Sequence, residues 1–538
     1  MHIQDRSMPR TLALYLIAIA VALPVASWGA EAKKPARVAQ TDPKKKPAQP
    51  KPAPAKPTEE DVPLSKDDLF GTTKPAAPPA APAAAPAAAA AKSEPKAPAS
   101  KDELFGDTAP SSKDELFGTG TAAAATAKEP EARPANIKFK GFVQQETAYT
   151  YADPSHWSRG VFRGQIGASG QAGANLKWKA TIRGDVDPVY FNSGFYNEEV
   201  KQDQRADFLV GETYVDTSAG AVDLRLGRQN IVWGEMVGLF FADVVSAKDL
   251  RSFVLPTFDI IRIPQWAARA EYFAGDSHFE VIWIPYNSYD NIGKPGSEFF
   301  PIQAPPPPGF QQQFRAEVIP DRDLNNSNYG ARASTLKAGW DLTAFYYRST
   351  DASATFQREI VVAPVPTVTW QARHDRIWQA GGTLSKDLGP AVLKGEVIYT
   401  DGRSFNVTRT SEPTGLVRQD TWDWVLGLDF TLPRDTRLNV QGFQRIYREH
   451  DPDLYFDRVE SGMSFLLNVK LFSKWEAEIL HIQSLNRREY LSRPRLIWKL
   501  QPNLRVAFGV DIFDGPITGF IGRYRDRDRV YVETRYDF

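Results

Sequence analysis

The sequence predicts an all-β fold, a transmembrane antiparallel β-barrel of about 18 strands, with about 16 as the alternative count. Three observations carry this. From residue 135 onward the chain is a series of segments of about ten residues that alternate apolar with polar side chains, the length a tilted membrane strand requires. The connections between these segments alternate short and long in step with the strands. Mean hydropathy is −0.40, and past the N-terminus no apolar run approaches the roughly 18 residues of a membrane helix, so a membrane crossing here must use strands.

The elements follow in chain order. Residues 1–32 read as a secretory signal peptide: Arg6 and Arg10 precede an apolar run over 12–25, and cleavage sites follow at Gly29 or Ala32. Residues 33–134 are Ala, Pro and Lys, a composition too poor in large apolar residues to offset chain entropy, and read as a disordered tether. One heptapeptide recurs in it three times, as Ser65-Lys66-Asp67-Asp68-Leu69-Phe70-Gly71, Ser100-Lys101-Asp102-Glu103-Leu104-Phe105-Gly106 and Ser112-Lys113-Asp114-Glu115-Leu116-Phe117-Gly118. Each copy has a capping Ser, an acid three residues on and a closing Gly, which together nucleate a helical turn when a partner holds the Leu-Phe pair. The pairs Leu69 and Phe70, Leu104 and Phe105, Leu116 and Phe117 are therefore candidate docking residues for a periplasmic protein, repeated for avidity. A duplicated spacer is the alternative.

In the barrel segment, 135–538, Leu176, Trp178, Ala180 and Ile182 oppose Lys177, Lys179, Thr181 and Arg183. Val222, Leu224 and Leu226 oppose Asp223, Arg225 and Gly227, and Leu504, Val506, Phe508 and Val510 oppose Arg505, Ala507, Gly509 and Asp511. A soluble sandwich would turn its polar face to solvent and have more even loops. The even strand count puts both ends of the barrel in the periplasm. Candidate pore-lining residues are Lys177, Lys179, Arg183, Arg225, Arg228, Glu235, Arg269, Glu271, Lys394, Glu396, Arg505 and Asp511; cross-strand pairing within the wall is the competing role for each.

Two long connections stand out. Residues 285–328 carry Pro305-Pro306-Pro307-Pro308-Gly309, a stiff extended element. Residues 232–264 hold Val237, Leu239, Phe240, Phe241, Val244, Val245, Phe253 and Leu255, too apolar for a solvated loop, so this connection is expected to fold into the lumen as a constriction. The last strand alternates Val530, Val532, Thr534, Tyr536 and Phe538 with Tyr531, Glu533, Arg535 and Asp537. It resembles the C-terminal assembly signal of bacterial outer-membrane proteins, which implies the barrel-assembly machinery and outer-membrane lipid as partners, with Tyr536 and Phe538 as the recognised residues. The segment Gly227-Arg228-Gln229-Asn230-Ile231-Val232-Trp233-Gly234-Glu235, followed by Leu255-Pro256 and Ile263-Pro264, resembles one shared by a large, uncharacterised family of proteobacterial outer-membrane barrels. That resemblance implies structural or pore-lining roles for Arg228, Trp233 and Glu235 and no chemistry. The architecture is also similar to that of the alginate exporters, but the mixed lumen charge departs from the basic pore a polyanion needs.

Other functions find little support. Lys and Arg total 65 against 65 Asp and Glu, which gives no basis for nucleic acid as a partner, and cysteine is absent. The histidines, His2, His156, His278, His374, His450 and His481, have no zinc-like spacing, and no Gly-x-Ser-x-Gly elbow occurs. His481 and Glu478 fall on opposite faces of one strand. The acid pairs Asp321 with Asp323 and Asp451 with Asp453 read as solvated loop charge before calcium ligands. No enzyme, metal or cofactor is expected. The sequence points to an outer-membrane pore or exporter for a polar or amphipathic solute or polymer, coupled to a periplasmic partner; the alternative is a closed-lumen scaffold anchoring an envelope assembly.

Overall fold

Alternation of the kind seen at 176–186 makes each segment extended, with one face for each environment. The computed structural model describes residues 137–538 except Ala174, Glu235 and residues 237–241; the leader, the tether and its three repeats lie outside the described residues. Eighteen strands form the wall. They are β1 (Lys138–Thr150), β2 (Phe162–Ala172), β3 (Leu176–Val186), β4 (Ala206–Ala219), β5 (Val222–Gln229), β6 (Gln265–Ala274), β7 (Ser277–Tyr286), β8 (Asn328–Lys337) and β9 (Trp340–Thr350). The second half comprises β10 (Arg376–Asp387), β11 (Ala391–Asp401), β12 (Thr421–Leu432), β13 (Thr436–Tyr447), β14 (Val459–Phe472), β15 (Trp475–Ser484), β16 (Tyr490–Gln501), β17 (Leu504–Asp514) and β18 (Arg529–Asp537). Each is antiparallel to its chain neighbours, and β18 closes on β1 from Phe142 opposite Asp537 to Thr150 opposite Arg529. Closure leaves no unpaired sheet edge in the hydrocarbon region.

The wall is inside-out relative to a soluble protein. Phe139, Phe162, Phe208, Val281, Trp283 and Trp422 are exposed, whereas Arg163, Arg183, Glu280, Glu396, Asp423, Asp511 and Arg535 are buried. Apolar side chains on the outer face and charge on the inner one place the barrel in the outer membrane. Turns at 220–221, 275–276, 338–339, 388–390, 433–435, 473–474 and 502–503, with the short link between β2 and β3, close one end, and the longer connections lie at the other. Residues on the turn side include the start of β1 and Phe538, whose backbone N–H and C=O exchange 2.8 Å bonds with Gly141.

The long connections hold regular structure of their own, which alternation does not reveal. Gln311–Val318 runs parallel to Thr367–Arg373, and Thr355–Val361 runs antiparallel to it, forming a small sheet built from two different loops. Its apolar side, Phe356, Val368, Trp370 and Ala372, packs on Ile292 and Phe300. The proline run leads into this sheet.

Candidate functional site

In the connection between β5 and β6, the described residues 230–234, 236 and 242–264 lie within the lumen, and the wall residues that grip them come from both sides. Its first leg carries Trp233, buried among Ile282 and Ile284 of β7, Phe345 and Tyr347 of β9 and Ile398 of β11. The indole Nε1 donates to Glu280 Oε1 at 2.6 Å. Gly330 makes room for it, since a Cβ there would stand 2.8 Å from Trp233 Cη2. Next, Met236 N–H and Ala242 N–H donate to the two oxygens of Glu396, at 2.9 and 2.8 Å. Glu396 sits on β11, well away from the strands the loop leaves and enters, so one carboxylate fixes the loop's far excursion.

The second leg returns along the opposite wall. Phe253 and Leu255 pack with Phe299, Ile482, Leu491, Phe513, Ile521 and Tyr524. Arg493 Nη2 donates to Leu255 O at 2.9 Å, and Arg183 Nη1 to Ile260 O at 2.8 Å. Arg535 Nη1 lies 3.4 Å from Asp259 Oδ2. Within the loop, Ala247–Lys248 pairs with Arg262–Ile263, and Arg262 meets Asp243 at 3.1 Å. Arg183 and Glu396 thus spend their hydrogen bonds on backbone groups that no strand satisfies, as buried amides and carbonyls require.

A second connection, 287–327, closes over the same mouth. Its Glu298, 4% exposed, accepts from Tyr196 at 2.8 Å, stands 2.5 Å from His156 Nε2 and 3.7 Å from Arg527. Burial pushes the Glu298 carboxyl up, but the bond to His156, with Arg527 and Tyr196, outweighs it and holds the group below the ordinary carboxylate range. Residues from four connections therefore meet at one carboxylate.

A protein-family model described as a protein of unknown function (DUF1302) matches residues 80–538. The chain belongs to this family. No curated protein matches it. Among solved structures, the DUF1302 chain is similar to Acinetobacter baumannii OccAB2 at 9% identity and a TM-score of 0.46, over 75% of this chain and 98% of that one. Pseudomonas aeruginosa OpdK with vanillate gives 9% identity and 0.44, again over 75% and 98%. Salmonella typhi OmpF in complex with daunomycin gives 10% and 0.38, over 75% and 97%.

In this DUF1302 barrel most of the charged residues singled out in the sequence sit on inward rows, next to an opposite charge. Lys179 meets Glu212 at 2.7 Å, Arg225 meets Asp216 at 2.6 Å, and Lys394 meets Asp429 at 2.8 Å. Arg505 lies 3.8 Å from Asp537, and Arg269 touches Glu271. Lys177 shares the row of Lys179 but is exposed at the turn end. Glu235 lies outside the described residues. Arg228 departs from its expected role: it is paired in register with Trp266, on the outward row of Leu224 and Leu226, because Gly227 and Gln229 take the inward positions.

Arg529, Glu146 and Arg163, which sequence reasoning passed over, complete the site. The expected Asp511, fully buried, is held by Arg493 at 2.7 Å and Arg529 at 2.8 Å, and Arg529 reaches Glu146 at 3.2 Å. Arg163 meets Asp185 at 2.7 Å. The polar run Gln144-Gln145-Glu146-Thr147 masks the alternation of β1, so Glu146 carries no periodic signal. Glu271, His278 and Glu280 offer ligand atoms within 4.8 Å of one another. Two guanidiniums, Arg269 and Arg332, approach Glu280 at 3.8 Å each, so these carboxylates are already compensated without a metal. Among the acid pairs, Asp451 and Asp453 share Arg409, and Asp323 caps a turn by accepting from Asn326 N at 2.9 Å. His481 is bonded to Ser492 at 2.8 Å on the outer face, which satisfies both polar groups in a wall facing lipid.

Proposed function

We propose that this porin-like barrel passes small polar and ionic solutes across the outer membrane, and that loop 230–264 sets what passes. One observation carries the reading: the loop spans the lumen and is gripped from β11 by Glu396 and from β16 by Arg493. A loop so placed narrows the path to gaps between itself and a wall of paired charges, which favours small polar solutes over a polymer. Single-channel recording of the full-length protein in a planar bilayer tests it. Wild type should give small, steady conductance, and a variant with 236–242 replaced by a short Gly linker should give a larger one.

A second reading, a closed-lumen scaffold, is favoured by the apolar clusters around Trp233 and Phe253, which pack both legs of the loop against the surrounding wall. Silence from both wild type and the shortened loop would select it. In either reading, residues 1–32 direct export, and the arm 33–134 docks a periplasmic protein through Leu69 and Phe70, Leu104 and Phe105, Leu116 and Phe117. The exposed rings of Tyr536 and Phe538 serve barrel assembly. Supporting the arm's placement, β1 starts at the short-turn end, so what precedes it emerges on the periplasmic side. Replacing all three Leu-Phe pairs by Ala should abolish crosslinking of the arm to a periplasmic protein while leaving conductance intact.

A further inference from the structure

Lumen arginines such as Arg225, Arg493 and Arg529 have carboxylate partners. Arg228 does not fit that scheme. It lies one residue from the external end of β5, on the row that faces lipid, and its Nε donates only to Pro264 O at 3.2 Å. Among the described residues it meets no carboxylate. A guanidinium at the edge of the hydrocarbon region is costly unless an anion takes its remaining donors. Beside it the outer wall is not flat. A groove of about 420 Å³, within the size range of small-molecule sites, is floored by Gly227, Ala267 and Ala268 and walled by Trp266, Trp283 and Tyr286. Gly227 is required there, because its φ of +131° and the approach of Thr213 O, 2.4 Å from a would-be Cβ, exclude any side chain. Arg228 is the chain neighbour of that glycine and the cross-strand partner of Trp266, so charge and groove are continuous.

We propose that this face binds one phosphorylated lipid of the outer leaflet, with its phosphate on the Arg228 guanidinium and an acyl chain in the adjoining groove. The planar fork of arginine suits two phosphate oxygens, and the aromatic walls lie at the headgroup level where such rings collect. The cation and the apolar channel each supply half of the recognition, which neither water nor a free anion would use in full.

The test uses full-length protein purified in detergent, stripped of lipid and titrated with diphosphoryl lipid A under native mass spectrometry. The dephosphorylated form of the same lipid and inorganic phosphate serve as the two partial ligands. Wild type should hold one diphosphoryl lipid; Arg228→Gln should weaken it by about tenfold or more, the loss expected for a charge-assisted contact. Arg228→Lys should weaken it less. Ala268→Trp, which fills the groove from the outward row, should weaken the lipid while Arg228 remains. Arg488→Gln, on an exposed loop cation, should change nothing. Heat-modifiable electrophoretic mobility reports that each variant is folded. Equal affinity in wild type and Arg228→Gln would overturn the proposal. So would equal binding of the dephosphorylated lipid, displacement by inorganic phosphate at similar concentration, or dimers of the chain that form in place of the lipid complex.

Discussion

In the wall, charges are matched locally: Lys179 with Glu212, Arg225 with Asp216 and Arg445 with Asp423 bridge adjacent strands. In the loop over 230–264 the same residue types act at long range, as Glu396 takes two backbone amides from 154 and 160 residues away and Arg493 takes a carbonyl from 238. The wall's pairs hold neighbouring strands together; the loop's contacts hold a path. Breaking the first kind should cost stability and leave the pore alone, and breaking the second should open the pore and leave the wall alone.

The largest effect is expected in the wall. Asp511→Asn takes the carboxylate from Arg493 and leaves the buried Arg529 with Glu146 alone, and should cost about 3–5 kcal/mol in urea unfolding; Arg493 still donates to Leu255 O, so single-channel conductance should change little. Trp233→Ala empties the first loop cluster and leaves Glu280 without its indole donor. It should loosen the loop by about 3 kcal/mol and raise conductance, with wall unfolding near the wild-type value. Glu396→Gln keeps one acceptor oxygen and turns an amide N–H₂ toward the other backbone N–H. Tryptic cleavage within 236–262 should speed up, reflecting about 2 kcal/mol lost from the loop.

At the mouth, acid acts on a loop contact and not on the wall. Glu298 is depressed, so its contribution is present above the unfolded glutamate value and is lost as pH falls through the lower folded one. Current noise from mouth opening should therefore rise only below the ordinary carboxylate range, and Glu298→Gln should remove that transition. The smallest effect belongs to Arg488→Gln, whose partner Asp514 and own side chain are both wet. Its unfolding should stay within about 0.5 kcal/mol of wild type.

The division between what sequence shows and what it hides follows from range. Strand alternation, strand number and the order of short and long connections were legible in the sequence. A β-strand's two faces are set by residues two apart, and a barrel's closure by an even count of such strands. Leu176 to Arg183 and Leu504 to Asp511 display this without any tertiary information. The apolar content of 232–264 also announced that the loop must be buried, because Val245, Phe253 and Leu255 have no place in water. Alternation by itself puts Arg228 on the outward row of Leu224 and Leu226; reading the family-like segment as a unit overrode that signal, and pairing with Trp266 keeps the residue outward.

The wall, with its strands, its two faces and an inward loop, is thus written in the chain's local pattern. Which charges meet, that Glu396 rather than any other carboxylate receives the loop, and that His156, Tyr196 and Arg527 converge on Glu298 were decided only by the tertiary structure. The physical reason is that periodicity encodes the environment a side chain faces. A partner more than a hundred residues away is chosen by barrel curvature and by the need to satisfy buried backbone groups, and neither leaves a local trace in the chain.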